Sequence, residues 1–335
     1  MSHDDPSTTQ QSGPMTSQTI KLPLARYRLL FQAHTPVTLP RFAGSTWRGT
    51  LGHALKKAVC VTRQPHCRSC MLLHACAHAY IFETPPPPSA GKMRKYTAAP
   101  HPFVLSPPDG PHQLSPGDEY PLDLTLIGQG NRHLPYVIHA LSLGARNGIG
   151  KTRGALELIR VDQAVTVDAM DLQTIFIPGQ PVQTLPALTP SIPATPKQPI
   201  TLTLHTPLRL KRDGHTVQPD EFHFADLFSN LLRRVSMLSY FHTDTPLDTD
   251  FAQLTQAARA WHPWQADHAR LQWQSWQRYS SRQKAHVNMD GLTGQLTLPH
   301  EGIEPFWPYL WLGQFIHAGA GTVMGQGRYQ MASLR

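Results

Sequence analysis

Along the chain, apolar positions first alternate, then recur every three to four residues, then alternate again, and the whole order appears twice. Alternation in "KLPLARYRLLFQAH" predicts a strand. In "STWRGTLGHALKKAV", Trp47, Leu51, Leu55 and Val59 fall on one stripe and predict a helix, with Ser45 as its N-cap. A strand is expected near Leu122 to Ile127. A short helix follows over Pro135 to Leu143, where Leu134, Ile138 and Leu141 share a face and proline suits the first helical position. Residues Leu156 to Val161 read as the next strand. The second half repeats the series. "ITLTLHTPLRL" is a strand, and "FADLFSNLLRRVSMLSYFH" a helix with Leu227, Phe228, Leu231, Leu232, Val235 and Leu238 on one face. "LQWQSWQRYSSRQKAHVNMDGLTGQLTLPH" is a strand hairpin, "PFWPYLWLGQFIHAG" a helix, and "AGTVMGQGRYQMASL" a glycine loop entering the last strand.

Each series has the order of a ferredoxin-like βαββαβ unit, so the expected class is α+β with two such units in tandem. The proline-rich stretch 178–199 is expected to run extended, without sheet or helix pairing, as a linker. It separates a domain over 19–177 from one over 200–335, and residues 1–18 read as a disordered, polar tail. Gly150-Lys151-Thr152 does not make a nucleotide site. Position 145, where the first glycine of that loop belongs, is Ala, and the loop follows a helix instead of a strand. Instead Gly144, Gly148, Gly150 and Gly154 mirror Gly319, Gly321, Gly325 and Gly327. Rows of N–H groups in such loops receive phosphate oxygens, and Lys151, Arg153 and Arg328 stand beside them.

Charge sharpens that expectation. The 335 residues carry a net charge of +8, not counting 19 histidines, which points to a polyanionic partner. No apolar run approaches the ~20 residues of a membrane span, and the N-terminal stretch lacks a signal-peptide core, so a cytoplasmic protein is expected. All four cysteines, Cys60, Cys67, Cys70 and Cys76, fall in one short window. In a reducing compartment such clustering argues against disulfides. Four thiolates suit a closed, structural Zn(II) site, with an iron–sulfur cluster as the alternative. Four sulfurs leave no position for a water, which excludes zinc hydrolysis at that ion.

"FAGSTWRGTLGHALKKAVC", the cysteine cluster, "AYIFETP", "YSSRQKAHVNMDGLTGQLTL" and "FIHAGAGTVMGQGRY" together resemble the CRISPR precursor-RNA processing endoribonucleases of the RAMP superfamily. The resemblance implies a metal-independent endoribonuclease that cuts CRISPR repeat RNA into guide RNAs and stays with its product alongside effector-complex subunits. A non-cleaving guide-RNA-binding subunit is the alternative. Metal-free cleavage uses the 2′-hydroxyl as nucleophile, with a base, an acid for the leaving 5′-oxygen, and a cation for the phosphorane. His53, facing away from the buried stripe of its helix, is the first candidate, and the family's first-helix histidine adds to it. His317, before the second glycine loop, and His286 beside Lys284 follow. Expected RNA contacts are Arg48, Lys56 and Lys57 on the first helix and Arg233 and Arg234 on the later one. Arg278, Tyr279 and Arg282 of the hairpin complete the set, with aromatic rings interleaved among cations for base stacking.

Overall fold

The computed structural model describes residues 20–88, 90–91, 98–168, 171–263, 269–280 and 285–333; of residues 269, 278–280, 285 and 286 only the backbone is described. The first half holds β1 (Leu24–Ala33), α1 (Gly44–Val59), β2 (Phe103–Ser106), β3 (Glu119–Ile127), α2 (Leu134–Arg146), β4 (Leu156–Ala164) and β5 (Leu172–Phe176). The second holds β6 (Ile200–Leu208), α3 (Phe224–His242), α4 (Phe251–Ala260), β7 (Ala269–Gln274), β8 (Gln277–Ser280), β9 (Ala285–Asn288), β10 (Gly291–Leu298), α5 (Trp307–Ile316) and β11 (Tyr329–Ser333). The sheets run β2-β3-β1-β4-β5 and β7-β10-β6-β11, and every pairing in them is antiparallel. Omitting β5, both orders are the same: this is a tandem ferredoxin-like fold.

Alternation decides which face each strand buries. Along β1, Ala25, Tyr27, Leu29, Phe31 and Ala33 join Trp47, Leu51 and Leu55 of α1 in the first core, leaving Arg26 and Arg28 on the opposite, open face. α2 packs beside α1, where Gly144 admits the side chain of Thr50. The second core gathers the α3 stripe, the inward residues of β6 and β10, and α5. Ile20, Leu22, Leu24, Ile127 and Val167 belong to it too, so the first half contributes apolar residues to the second half's core.

Four local expectations are corrected. α1 begins at Gly44 with Ala43 at its N-cap; Ser45 lies inside the first turn and makes no capping bond. Val59 at the far end is only half-buried. Gly144 belongs to α2, not to the loop after it. The linker does pair: Leu188 exchanges both backbone hydrogen bonds with Leu24, at 2.8 and 3.0 Å. Prolines deny pairing only at their own nitrogens, and Leu188 keeps its N–H. β2, β5 and α4 had no counterpart in the sequence pattern.

Candidate nucleic-acid interface

Two seams join the halves. In the first, the turn Thr322–Met324 of the second glycine loop sits on the N-terminus of α1 and on β2. Gly44 faces the Met324 carbonyl, and Gly325 faces the carbonyl of Leu105. Gly319, Gly321, Gly325 and Gly327 take φ of +77°, +78°, +80° and +64°, a region that L side chains resist. The loop is therefore a clasp between the halves. Several of its amides are taken by the fold: Gly319 N donates to Asn230 Oδ1 at 2.7 Å, Ala320 N to Arg209 O at 2.9 Å, and Gly327 N to Pro207 O at 3.0 Å. The amides of Met324 and Gly325 bond within the turn. The first loop is spent likewise, with Lys151 N on Thr38 O and Ile149 N on Gly154 O. The expected open row of N–H groups is corrected at these positions, because backbone carbonyls approach closely enough to take them.

The second seam is a groove of roughly 700 Å3 between the open face of the first sheet and the β11 edge with α5. Arg26, Arg28, Asp123 and Thr125 line one wall, and His205, Gln330, Trp311 and Phe315 the other. Arg28 is clamped by Asp123 through two hydrogen bonds, at 2.7 and 3.0 Å. That bond is the main reason its pKa is raised. Arg26 donates to Val167 O at 2.7 Å and lies over the Phe315 ring, 5.5 Å from its centroid, and burial lowers its pKa. Arg328, at the head of β11, is ion-paired to Asp109. His205 is exposed, with Nε2 3.0 Å from Gln330 Oε1. Past Asp109 and His205 the groove reaches Arg41 and Phe42. There the Phe42 ring meets Trp276 with centroids 4.7 Å apart, and Arg41 reaches over Phe42. Cations beside a surface aromatic pair form a platform of the kind that holds unpaired nucleotides.

The expected residues distribute unevenly over this frame. His53 is exposed, but α1 covers the helix-bearing face of the first sheet while the groove opens on the other face. The structure therefore does not bring His53 together with the cations of the groove. His317 is shut in. Its Nδ1 donates to Gln326 O at 3.2 Å, and Nε2 lies 3.4 Å from Ser106 Oγ across the seam. Burial depresses its pKa to about 3, with Arg328 and Arg234 adding to the effect. Both of its nitrogens are engaged within the seam, at the wall of the groove. Arg48 stacks on Phe82, 4.4 Å from its centroid, and Lys56 Nζ donates to Pro65 O at 2.8 Å, so both serve packing around α1. Arg234 is turned inward onto Ile316 O at 2.9 Å, with Nη2 hidden from solvent. Lys57, Lys151, Arg153 and Arg233 are exposed. Arg282 and Lys284 lie outside the described residues. For Arg278, Tyr279 and His286 the backbone alone is described, with β8 paired to β9 and Tyr279 opposite His286. Sequence reasoning missed Arg26, Arg28, Arg41, Phe42 and His205. Strand alternation carried the signal for three of them, since Arg26 and Arg28, and Thr201, Thr203 and His205, mark the outward faces.

The cysteine module lies on the helix side. Its four thiols are half-buried and free of disulfides, and all line one cavity of roughly 460 Å3. Cys70 N closes a tight turn on Cys67 O at 3.0 Å. The Thr62 hydroxyl, 3.4 Å away, lowers the Cys70 pKa, while burial raises that of Cys67. The groups that converge among the described residues are Cys67, His78 and Glu83, whose ligand atoms lie within 4.8 Å of one another.

Residues 202–329 match the family model described as CRISPR-associated endoribonuclease Cas6, and residues 22–188 match a model described as an N-terminal domain, AF_1859_N. Over residues 202–329 the chain is thus similar to the Cas6 endoribonucleases. The Cas6 fold is matched along nearly the whole chain. A Cas6 product complex aligns with 92% of this chain and 100% of its own, at 18% identity and a TM-score of 0.53. Thermus thermophilus Cas6 aligns with 93% and 99%, at 17% identity and a TM-score of 0.51. A chain of a partial Cas6-RT-Cas1–Cas2 complex aligns over 93% of this chain and 46% of its own, at 14% identity and a TM-score of 0.52. An uncharacterized protein of Archaeoglobus fulgidus is 25% identical over 163 residues, which are 48% of this chain and 53% of that protein, so the match spans about half the relative's length. Among the described residues no helix is long and apolar enough to cross a membrane.

Proposed function

We propose that this protein is a Cas6-type endoribonuclease that cuts CRISPR repeat RNA without a catalytic metal and keeps the guide-RNA product in the groove, there to meet effector-complex subunits. The observation that carries the reading is one exposed imidazole, His205, in an arginine-lined groove that also holds Arg328 and ends at Arg41, Phe42 and Trp276. In this reading RNA lies along the groove. An unpaired base stacks at Phe42 and Trp276, and Arg41 and Arg328 hold the phosphates on either side. His205 takes the proton of the 2′-hydroxyl, which attacks the adjacent phosphorus. The P–O bond to the 5′-oxygen breaks as that oxygen gains a proton, leaving a 2′,3′-cyclic phosphate and a 5′-hydroxyl. The guanidiniums stabilise the charge that gathers on the phosphorane. The pair His286 and Lys284 are candidates for the acid.

The test is cleavage of a labelled repeat RNA in EDTA, with a 2′-deoxy control at the cut site. Cleavage is expected to persist in EDTA, to stop with the deoxy substrate, and to fall at least ~100-fold in His205→Ala. Full activity in His205→Ala overturns the assignment of the base. A second reading, a non-cleaving guide-RNA-binding subunit, draws on the carboxylates that already occupy Arg28 and Arg328. It predicts tight binding with no product from any repeat. In either reading affinity falls steeply with salt, since phosphates supply the contacts. The cysteine module is proposed to bind a structural ion, Zn(II), with an iron–sulfur cluster as the alternative.

A further inference from the structure

We propose that the ion of the cysteine module is held by a mixed set, Cys67 Sγ, His78 Nδ1 and a Glu83 carboxylate oxygen, and not by four sulfurs. The inference rests on the proposed metal-binding role of the module and specifies its donors.

Three independent observations converge. The first is distance. Cys67 Sγ and His78 Nδ1 stand 3.6 Å apart. Zn–S of about 2.3 Å and Zn–N of about 2.05 Å at a tetrahedral angle put the two donors roughly 3.6 Å apart. A thiol–imidazole hydrogen bond explains such a pair alone. A carboxylate oxygen of Glu83 within 4.8 Å of both sets a third donor beside the pair.

The second is the backbone. Residues Ala79–Glu83 form a π-helical turn, closed by Thr84 N on Ala79 O. In an α-helix, residues 78 and 83 would point about 140° apart. A turn closed by an i→i+5 bond returns the chain to the same side after five residues, which brings Glu83 under His78. Such single turns recur at functional sites. This one ends on Thr84, a non-glycine residue at φ +47°, ψ +58°. Thr84 is pinned there by hydrogen bonds to Tyr80 O at 3.1 Å and to His101 Nδ1 at 2.6 Å. Left-handed backbone at a threonine costs of order 1 kcal/mol or more and persists only where the surroundings fix it.

The third is support. His78 is buried, 3% exposed, and its ring lies against Phe82, which occupies the space left by Gly52 of α1. The imidazole is thus aimed by the core, as a ligand must be for a site to be formed before the ion arrives. Cys60, Cys70 and Cys76 line the adjoining cavity, and the fourth position falls to one of these thiols or to water.

Zinc content and zinc-edge X-ray absorption of the full chain, loaded with Zn(II) alone, decide the matter without any variant. One zinc per chain with one or two sulfur neighbours and the rest nitrogen or oxygen is expected. Four sulfurs overturn the donor set while leaving the metal-binding role intact. Absence of bound zinc, or purification with iron and an iron–sulfur spectrum, defeats the metal reading and the donor set together. Variants supply a second readout. His78→Ala and Glu83→Gln should each weaken Co(II) binding at least tenfold and change its visible spectrum, with circular dichroism reporting that the fold persists. Unchanged cobalt affinity and spectrum in both would refute the proposal.

Discussion

At the scale of single residues, the seam between the halves is set by what glycine leaves out. Gly44 lies in the first turn of α1, where propensity alone makes alanine better by about 1 kcal/mol. The structure reverses that sign, because a methyl group at Gly44 would run into the Met324 carbonyl of the glycine clasp. Backbone on both sides cannot yield as a side-chain end would. Gly44→Ala is expected to destabilise the protein by about 2–4 kcal/mol, read as a lower urea midpoint. Gly49→Ala, on the same helix with no atom near the added methyl, should be neutral or stabilising. Equal effects at the two sites would remove the clasp from the account. Arg234 presents a second residue-scale case. Its guanidinium, bonded to Ile316 O and with a hidden Nη2, has its pKa lowered to about 10 by desolvation. Replacing such a charge with an apolar chain of similar volume is often neutral or stabilising. Arg234→Met should therefore hold or raise stability at neutral pH, whereas Leu231→Ala on the same helix should cost about 2–5 kcal/mol. Urea unfolding of the two variants side by side checks this.

At the scale of elements, the helices and the principal strands were legible because one face of each is apolar. The α3 stripe from Leu227 to Leu238 and the alternation from Ala25 to Ala33 are buried as the pattern requires. β2 escaped notice because "FVLS" is too short to show a period, and its place between β3 and the glycine clasp is a tertiary fact. The groove escaped notice for a different reason. Strand alternation tells that Arg26 and His205 face outward, but not that two outward faces from distant stretches confront each other. His53 and His317 show the converse. A helical wheel tells which way a side chain leaves its own element, not what lies beyond it: His53 is exposed on the side away from the groove, and His317 is enclosed at the groove's seam. The linker carries a prediction at this scale. Leu188 N donates to Leu24 O and stitches an otherwise proline-rich strand to β1. Leu188→Pro removes that donor and should cost about 1–3 kcal/mol, with faster proteolysis between residues 178 and 199 under native conditions. An unchanged digestion pattern would mean that the Gln163 side chain, bonded to both backbone groups of Leu185 at 3.0 Å, is what holds the segment.

At the scale of the whole molecule, His242 and His317 are buried where the halves meet, with His101 close by, and this ties the union of the halves to pH. His242 at the end of α3 donates from Nε2 to Pro100 O at 2.7 Å, so its Nδ1 accepts from the Tyr80 hydroxyl at 2.9 Å. His101 contacts Thr84 and His317 contacts Ser106. Burial is the main cause that depresses all three, to about 4 for His242 and about 3 for His101 and His317, and Arg234 pushes each further down. The unfolded chain titrates its histidines near ~6.5. Between that value and the folded values the unfolded state binds more protons, so stability rises with pH there. The stabilisation is whole above pH ~6.5 and drains away as pH falls toward 4 and then 3, with each ring adding a slope that approaches about 1.4 kcal/mol per pH unit. Urea midpoints measured from pH 7.5 to 4 should therefore hold level at first and then drop, before most carboxylates titrate. Arg234→Met should flatten the drop, since it removes a cation that all three rings feel. A midpoint that stays constant down to pH 4.5 would show that the seam opens freely to water, and the two halves would then have to be joined by the glycine clasp and the shared apolar core alone.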